Sequence, residues 1–455
     1  MSPVLLVPFL LFACESPPDE TGGERAAAAS RTPAPTLTQP TVVMIVMDTV
    51  RADHLSLCGY ERATSPRLEA FAAQPGTVHT CRAYAPGSWT LPSHASFFTG
   101  LPVDGHGAHM IRGGIDDGQD WLSLRPLDEE SLTLAETLRD TGYQSVLLSA
   151  NPMLSPEFGL ARGFDVVHVA PHFGVLRGAQ LERRLQTILA EDVDPEKPLF
   201  LFVNLTEAHV PLQNPAPLHP WYTPSDHPDR RRMRRLLGRN TLGRHPDPEA
   251  ASLWFTDLYD VGIQGADQTF GRVLDTLEET GWLGGAHRIT VTSDHGEHLG
   301  AFGYFGHGGD TLEPNTRVAL VHRQHPVPLP SLPEPFPGVA VHGLVRDGAV
   351  PSPLPAAEAI AMPWAEKASA SNQQTAIHAD AALWEGTRKH RTVGGSHTTV
   401  DLVADPLEQA GTATDPAADA KLGALEARLR MTSGRPAENN PEVIELLTAA
   451  GDMSD

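Results

Sequence analysis

The chain has 455 residues, of which 40% are hydrophobic, and its formal net charge is -22 at pH 7. This length allows a large core and a second, smaller domain, because domains run to about 100–200 residues and α/β domains often exceed that. The acidic balance repels phosphate backbones and therefore argues against nucleic acid as a partner.

The N-terminal 14 residues carry a short apolar run from Val4 to Phe12 and end in "LFAC". The run is too short for a bilayer span, which takes about 20 apolar residues, and it is typical of a secretory signal. "LFAC" resembles a bacterial lipobox, which predicts a lipidated Cys14, export to the periplasm or cell envelope, and membrane attachment. A plain cleaved signal is the alternative. In an oxidising compartment the other two cysteines, Cys58 and Cys81, could pair.

From residue 15 to residue 40 the composition predicts a flexible tether, and beyond it strands alternate with helices. Buried strands are predicted at "TVVMIVMD", "YQSVLLSAN", "PLFLFVNLTEAH" and "HRITVTSDHGEHLG". Helices are predicted at "SPRLEAFAAQPG", where Ser65 would be the cap, at "SLTLAETLRDTG", and from Asp247 to Trp282 with a break near Gly262–Gly265. The alternation predicts an α/β domain over residues 41–323, with a mostly parallel central sheet flanked by helices.

Residues 324–375 are proline-rich and lack clear periodicity, which predicts an irregular segment. Residues 376–455 predict a smaller C-terminal α+β subdomain and tail. Within it, "TRKHRTVGGSHTTVDLV" is typical of a hairpin that turns at Gly394–Gly395. The stretches "DAKLGALEARLRM" and "PEVIELLTAAG" predict two late helices.

Candidate metal ligands follow two of the predicted strands. Asp48 ends the first strand, and Asp294 and His295 end a later one in "TSDHG". Ligand sites in parallel sheets lie beyond the carboxyl ends of strands, so these side chains are expected at one edge. Two carboxylates and an imidazole suit one divalent cation. The imidazole favours Mn or Zn, whereas Ca or Mg remains an alternative.

Thr90 lies in "SWTLPSHASFFTG", at the predicted start of a short helix. Pro92 suits the first turn of that helix and Gly100 suits its end. A helix N-terminus attracts anions, and a threonine hydroxyl near a cation can become a nucleophile towards an anionic ester. The alternative is that Thr90 only caps the helix.

Several motifs occur in the order found in sulfatases. They are "VMIVMDTVRADHLSLCGYERATSPRLEAFA", "WTLPSHASFFTGLPVDGHGA", "TLAETLRDTGYQSVLLSAN", "GFD", "DQTFGRVLDTLEETGWL", "TVTSDHGEHLG", the "HG" at His307 and "VDLVADPLEQAG". Over residues 41–310 and 384–412 the chain resembles the sulfatase branch of the alkaline phosphatase superfamily. The resemblance implies an alkaline-phosphatase-like fold and a metal-dependent ester hydrolase or transferase.

Departures from the sulfatase pattern fall on the reacting groups. Sulfatases have Cys or Ser where this chain has Thr90, and they convert it to formylglycine. A threonine would give a ketone, so that route is closed. His94 replaces an arginine, Thr49 replaces a second aspartate, and "SANPML" around Asn151 replaces a Lys-x-His element.

The motif residues that survive resemble those of phosphoglycerol and phosphoethanolamine transferases, which use an unmodified threonine. That likeness implies a metal held by Asp48, Thr90, Asp294 and His295, with attack by Thr90 through a phosphothreonine intermediate.

The resemblance to the superfamily also suggests residues that help to bind the substrate. His209, in "TEAHVPL", and His307 are predicted to contact the leaving group or a substrate oxygen, although His209 could be a surface residue. Arg51, His94 and Asn151 are predicted to bind substrate. Alternatively, Arg51 pairs with a carboxylate and His94 is solvated.

Three further features are less specific. His298 is either a ligand of a second metal or a residue that supports the ligands, and His106 is predicted to be structural. The basic run from Arg230 to Arg239 could attract an acidic head group or a lipid surface, or it could be a solvated loop.

These features together predict an exported, formylglycine-independent hydrolase or transferase that acts on phosphate or sulfate esters. Its substrate would be an anionic small molecule, glycan or lipid head group. The alternative is a catalytically degenerate binding protein on the same fold, because the second aspartate, the lysine and the arginine of the family pattern are missing.

Overall fold

Strands and helices alternate along most of the chain in the computed structural model, which describes residues 39–113, 121–171, 173, 175–210, 212, 219–222, 248–303, 305–361, 380–393 and 396–432. The strands are β1 Thr41–Met47, β2 Thr77–Tyr84, β3 His109–Gly113, β4 Trp121–Arg125, β5 Gln144–Ser149, β6 Val166–Val169, β7 Leu199–Leu205, β8 His287–Thr292, β9 His298–Leu299, β10 Phe305–Gly306, β11 Arg317–His325, β12 Phe336–Pro337, β13 Ala357–Ile360, β14 Ala381–Glu385, β15 Arg388–Val393, β16 Ser396–Asp401 and β17 Thr412–Ala413. The helices are α1 Pro66–Ala72, α2 Thr90–Thr99, α3 Val103–His106, α4 Leu134–Arg139, α5 Ala179–Glu191, α6 Pro248–Glu279, α7 Glu313–Thr316, α8 Val341–Asp347 and α9 Pro416–Thr432.

An eight-stranded sheet in the order β12-β2-β11-β8-β1-β7-β5-β6 forms the centre of the fold. β1 pairs in parallel with β7 and β8, β5 pairs in parallel with β7 and β6, and only β11 runs antiparallel to its neighbours among these pairs. The predicted α/β class with a mostly parallel sheet is therefore confirmed. The four predicted strands correspond to β1, β5, β7 and β8.

Strand β1 is buried along its whole length because helices cover both faces of the sheet. Val43 and Ile45 pack into a core with α5 and α6, whereas Val42 and Met44 pack into a second core with α2 and α8. Successive side chains of a strand point to opposite faces, so a strand covered on both sides must be apolar at every position. This is why the first strand is a continuous apolar run.

The predicted break in the long helix is wrong, since α6 is continuous from Pro248 to Glu279. Gly262 has a packing role instead. A Cβ atom there would lie 2.5 Å from the carbonyl oxygen of Glu207, whereas at Gly265 the nearest atom would be the Glu207 Cβ at 3.5 Å. Gly262 thus lets the helix approach the backbone that follows β7.

Ser65 occupies the N-cap position of α1, as predicted, but its side chain makes no cap hydrogen bond. The Asp267 carboxylate on α6 accepts hydrogen bonds from the backbone N–H groups of Arg67 and Leu68, each at 2.8 Å. The cap is therefore supplied by another helix. The local prediction holds better at α4, where Thr133 and Glu136 form a reciprocal capping box.

The segment predicted to be irregular, residues 324–375, is partly regular. It contains β12, β13 and the helix α8, whose buried Val341 and Leu344 belong to one of the two main cores. Tertiary packing fixes these short elements, which a search for periodicity misses. The proposed domain boundaries, including residue 376, stay predictions.

A five-stranded antiparallel sheet, β13-β14-β15-β16-β17, carries most of the C-terminal residues described. The predicted hairpin is confirmed in its strands, which pair from Val393 with Ser396 to Arg388 with Asp401, while its two turn glycines lie outside the described residues. Of the two late helices, α9 is confirmed, and "PEVIELLTAAG" lies outside the described residues.

Lys389 joins the small sheet to the main one. Its fully buried ammonium group donates to the Thr311 carbonyl at 2.6 Å and lies 3.2 Å from Glu313 and 2.5 Å from Glu408. Arg391 also pairs with Glu408, at 2.6 Å. The glutamate of the "DPLE" element is thus neutralised by two cations and holds the sheet in place.

The first crossover is closed by a disulfide bond between Cys58 and Cys81, which the sequence left open. It ties the loop after β1 to β2. None of the helices in the described part of the chain has the length and apolar character that a membrane span requires. The N-terminal segment with Cys14, the tether up to residue 38 and the arginine-rich run lie outside the described residues.

Candidate active site

Four neighbouring strands place polar side chains at one edge of the main sheet. The order β8-β1-β7-β5 brings together Asp294, which follows β8, Asp48, which follows β1, Asn204 near the end of β7, and Asn151, which follows β5. All four side chains are buried with no exposed surface. A buried polar group needs a partner, and the partners of these side chains define the site.

Asp48 uses its two carboxylate oxygens differently. Its Oδ2 accepts hydrogen bonds from the side-chain amides of Asn151 at 2.7 Å and Asn204 at 3.2 Å. Asn204 is itself held by Ser149 at 3.3 Å. The other carboxylate oxygen of Asp48, Oδ1, has no hydrogen-bond partner within the described residues, although it is buried. One oxygen is fixed by the protein and the other is presented to the site.

The two carboxylate oxygens of Asp294 also differ in their hydrogen bonding. Its Oδ1 accepts from the backbone N–H groups of Thr49 at 3.2 Å and His295 at 3.1 Å. Its Oδ2 lacks a hydrogen-bond partner among the residues described. Thr49 turns its N–H towards Asp294 by adopting a φ of 62°, which is unusual for a β-branched residue. Its own hydroxyl donates to the Asp48 carbonyl at 2.7 Å.

The imidazole of His295 presents one nitrogen to both carboxylates. Nδ1 donates to the Gly296 carbonyl at 2.9 Å, so Nε2 of the neutral ring carries the lone pair. Nε2 lies 3.3 Å from Asp294 Oδ2 and 3.7 Å from Asp48 Oδ1. Gly296 is required here because a Cβ atom would lie 2.0 Å from the Pro314 carbonyl oxygen.

Asp48 Oδ1, Asp294 Oδ2 and His295 Nε2 all lack a hydrogen-bond partner among the described residues, and together they could bind a cation. The ligand atoms offered by Asp48, Asp294 and His295 all lie within 4.8 Å of one another. Burial and the neighbouring Asp48 raise the pKa of Asp294 well above its usual value, which is the signature of carboxylates that lack a compensating charge. Burial lowers the pKa of His295 well below its ordinary value, so its ring is neutral and can act as a ligand. Two carboxylate oxygens and one imidazole nitrogen are donors that suit a divalent cation.

Thr90 lies beside this cluster, as the first residue of α2. The N-cap position belongs to Trp89, so the interpretation of Thr90 as a helix cap is wrong. The buried Thr90 Oγ1 accepts a hydrogen bond from Asn151 Nδ2 at 3.1 Å, and the same Nδ2 donates to Asp48. One amide therefore joins the candidate nucleophile to a candidate metal ligand.

His94 is fully buried one turn further along α2, so the solvated alternative is wrong. Nδ1 donates to the Thr90 carbonyl at 2.9 Å and lies 3.5 Å from Asp294 Oδ2. Its ring stands edge-on to Phe98 and Phe202. Burial lowers the pKa of His94 to about 4, although the Asp48 charge acts in the opposite direction.

Two other histidines extend the site beyond His295. The ring centroid of His307 is 4.3 Å from that of His295 and 5.2 Å from that of His209. His307 Nδ1 lies 3.1 Å from Glu297 Oε2, while His209 is stacked on Phe173 at 4.2 Å. His209 is fully buried, so the surface alternative is wrong.

Arg51 and His298 each pair with a carboxylate. The Arg51 guanidinium pairs with Asp53 at 2.7 Å and donates to the Glu297 carbonyl at 3.0 Å, as the carboxylate alternative predicts, and its role in substrate binding stays a prediction. His298 pairs with Asp310 at 2.8 Å.

His106 forms a hydrogen bond with Ser96 at 3.0 Å beneath α2, in the structural position expected for it.

Sequence reasoning missed Asn204, Ser149 and Glu297. Asn204 breaks the otherwise apolar pattern of β7, and a polar residue inside a strand covered on both faces is the signal that could have identified it. Ser149 likewise interrupts the apolar end of β5. Glu297 lies within "SDHGEHLG" but gives no separate signal in the sequence.

Comparison with protein families and solved structures identifies the family and the fold. The family model described as Sulfatase matches residues 40–329. Among solved structures, the phosphonate monoester hydrolase of Agrobacterium radiobacter is 19% identical with a TM-score of 0.60, and the alignment covers 90% of this chain and 96% of that one. The corresponding enzyme of Silicibacter pomeroyi is 19% identical with a TM-score of 0.59, covering 86% and 95%.

A third structure contains its substrate D-glucosamine-2-N,6-O-disulfate. It is 14% identical with a TM-score of 0.55, covering 88% of this chain and 100% of that one. At these identities the structures show a common fold. The comparison with curated proteins gave no match. Because the family model covers more than half of the chain, the protein belongs to the sulfatase family.

Proposed function

We propose that the protein is a metal-dependent hydrolase or transferase of sulfate or phosphate esters that uses unmodified Thr90 as its nucleophile. The observation that carries the proposal is the position of Thr90 Oγ1, joined through one Asn151 amide to Asp48, beside three buried donor atoms that lack partners among the described residues. Export and a lipid anchor at Cys14 are part of the proposal and rest on the N-terminal sequence alone.

Each residue has a definite task in this proposal. Asp48, Asp294 and His295 would hold a divalent cation, which would supply positive charge next to Thr90 and to the ester oxygens. Thr90 Oγ attacks the sulfur or phosphorus atom as the bond to the leaving alcohol breaks, and the proton lost by the threonine is balanced, through solvent, by the proton that the departing alkoxide takes up. Water or an acceptor alcohol then takes the group from Thr90 and restores its hydroxyl. His209 and His307 contact oxygens of the ester or of the departing alcohol.

Both ester classes have support from similar proteins. Two similar structures are phosphonate monoester hydrolases, and another binds a disulfated glucosamine. A threonine cannot supply the formylglycine aldehyde, which favours phosphorus, whereas the family match favours sulfate. We propose an anionic glycan, lipid head group or small ester as the substrate.

The experiment is intact mass spectrometry after incubation of the metal-loaded protein with aryl phosphates and aryl sulfates. A phosphate or sulfate adduct on Thr90 identifies both the nucleophile and the ester class. Thr90→Ala should lose the adduct and turnover. Thr99→Ala is a matched control on the same helix, because the Thr99 hydroxyl donates to the Ala95 carbonyl at 2.7 Å. Turnover that survives Thr90→Ala would refute the nucleophile.

The second candidate is a binding protein that has lost catalysis. The departures at Thr49, His94 and Asn151 favour it, since family residues of these positions are replaced by uncharged ones. A protein of this kind would bind anionic esters without converting them to products. Stoichiometric metal together with multiple turnovers would exclude it.

A further inference from the structure

We infer that Asn151 is a positioning residue for the nucleophile, rather than the substrate-binding residue that its sequence position suggested. The inference rests on the proposed function, because it assumes that Thr90 is the attacking group. It concerns only how the protein holds the Thr90 oxygen. The starting observation is that Asn151, which follows β5, bridges Thr90 and Asp48, although β7 lies between β5 and β1 in the sheet.

The orientation of the Asn151 amide is determined by its partners. Met153 N–H lies 2.9 Å from Oδ1 and can only donate, whereas Asp48 Oδ2, at 2.7 Å from Nδ2, can only accept as a carboxylate. A flipped amide would lose both interactions. Nδ2 is therefore the atom next to Thr90 Oγ1, and the threonine oxygen is the acceptor in that contact.

No amide hydrogen remains for a substrate. The amide has two N–H bonds, and these point to Asp48 Oδ2 and Thr90 Oγ1. The side chain is buried with no exposed surface. What the amide does is fix the threonine oxygen against the fixed oxygen of Asp48, so that nucleophile and candidate ligand are held at a constant separation.

Asn204 provides the internal comparison. It also donates to Asp48 Oδ2, at 3.2 Å, but its other contact is with Ser149 and not with Thr90. Removal of either amide loosens Asp48, whereas only removal of the Asn151 amide releases Thr90. The two effects can therefore be separated by a pair of substitutions.

The variants are Asn151→Asp, which keeps an acceptor for Met153 N–H but loses the donor, and Asn204→Leu. Zinc or manganese alone is titrated by calorimetry, and formation of the Thr90 adduct is then followed by mass spectrometry at saturating metal. Asn204→Leu should weaken metal binding and recover its adduct rate in excess metal. Asn151→Asp should remain about 100-fold slow at saturation, because displacement of a reacting atom by ~1 Å costs that much.

Crystal structures of the metal-loaded variants give a readout independent of turnover. We expect one Thr90 χ1 rotamer in the wild type and in Asn204→Leu, and a rotated or mixed rotamer in Asn151→Asp. If Thr90 keeps its rotamer in Asn151→Asp, or if both variants recover fully in excess metal, the inference is overturned. If the wild type forms no adduct but the rotamer still depends on Asn151, the positioning role stands and the proposed function falls.

Discussion

His106 offers a test of the packing beneath α2, the helix that begins at Thr90. It is fully buried on α3, and its Nδ1 accepts from the Ala108 N–H at 3.1 Å, so the neutral ring donates from Nε2 to Ser96. Burial and the neighbouring His109 lower its pKa from 6.5 to about 3. His106 therefore binds a proton less readily in the folded protein than in the unfolded chain.

The direction of the pH effect follows from the linkage between proton binding and folding. A depressed histidine pKa gives stability that is present above the unfolded value and is lost as the pH falls from about 6.5 towards about 3. Between about pH 7 and pH 5, His106 should lower the free energy of unfolding by about 2 kcal/mol, since each pKa unit corresponds to about 1.4 kcal/mol.

The perturbation is His106→Gln, which keeps a donor and an acceptor but does not titrate. Urea unfolding of both proteins at the two pH values gives the difference in their free energies of unfolding. That difference should shift by about 2 kcal/mol in favour of the variant at the lower pH. Other titrating groups, including the candidate metal ligands, are common to both proteins and cancel. His325→Gln, at an exposed position, is the control, because it shows how much the same replacement changes the free energy of unfolding outside the core. Parallel pH dependence of wild type and His106→Gln would refute the reasoning.

Four other substitutions, of which Gly265→Ala is a control, test the fold. Gly262→Ala should lower the free energy of unfolding by about 1–3 kcal/mol by collision with the Glu207 carbonyl, whereas Gly265→Ala on the same helix should be neutral or stabilising by up to about 1 kcal/mol; equal effects in urea unfolding would contradict the packing argument. Lys389→Met should lower the free energy of unfolding by about 3–5 kcal/mol, because it removes the buried cation beside Glu313 and leaves Glu408 with Arg391 as its cation, and an unchanged melting temperature would count against the network. Thr49→Asn should raise the melting temperature, since a β-branched residue at positive φ costs about 1–3 kcal/mol and asparagine tolerates that conformation better; a lower melting temperature would show that the lost hydroxyl contact with the Asp48 carbonyl outweighs the relief of strain.

The sequence by itself determined the fold class and the chemical character of the site. A strand covered on both faces must be apolar throughout, so β1, β5, β7 and β8 could be recognised from their runs of residues. The polar residues that follow these runs must lie at the carboxyl edge of the sheet, which is why Asp48, Asp294 and His295 could be named as a group.

Tertiary structure decided what the local pattern could not contain. The order of the strands in space brought Asn151 and Asn204 to the same aspartate oxygen, although the two residues are far from Asp48 in the chain. Packing against the backbone after β7 made Gly262 a contact point instead of a helix break, and Asp267 took over the cap expected from Ser65. Period and propensity report a residue's immediate neighbours along the chain, whereas hydrogen bonds between strand ends depend on which strands become adjacent.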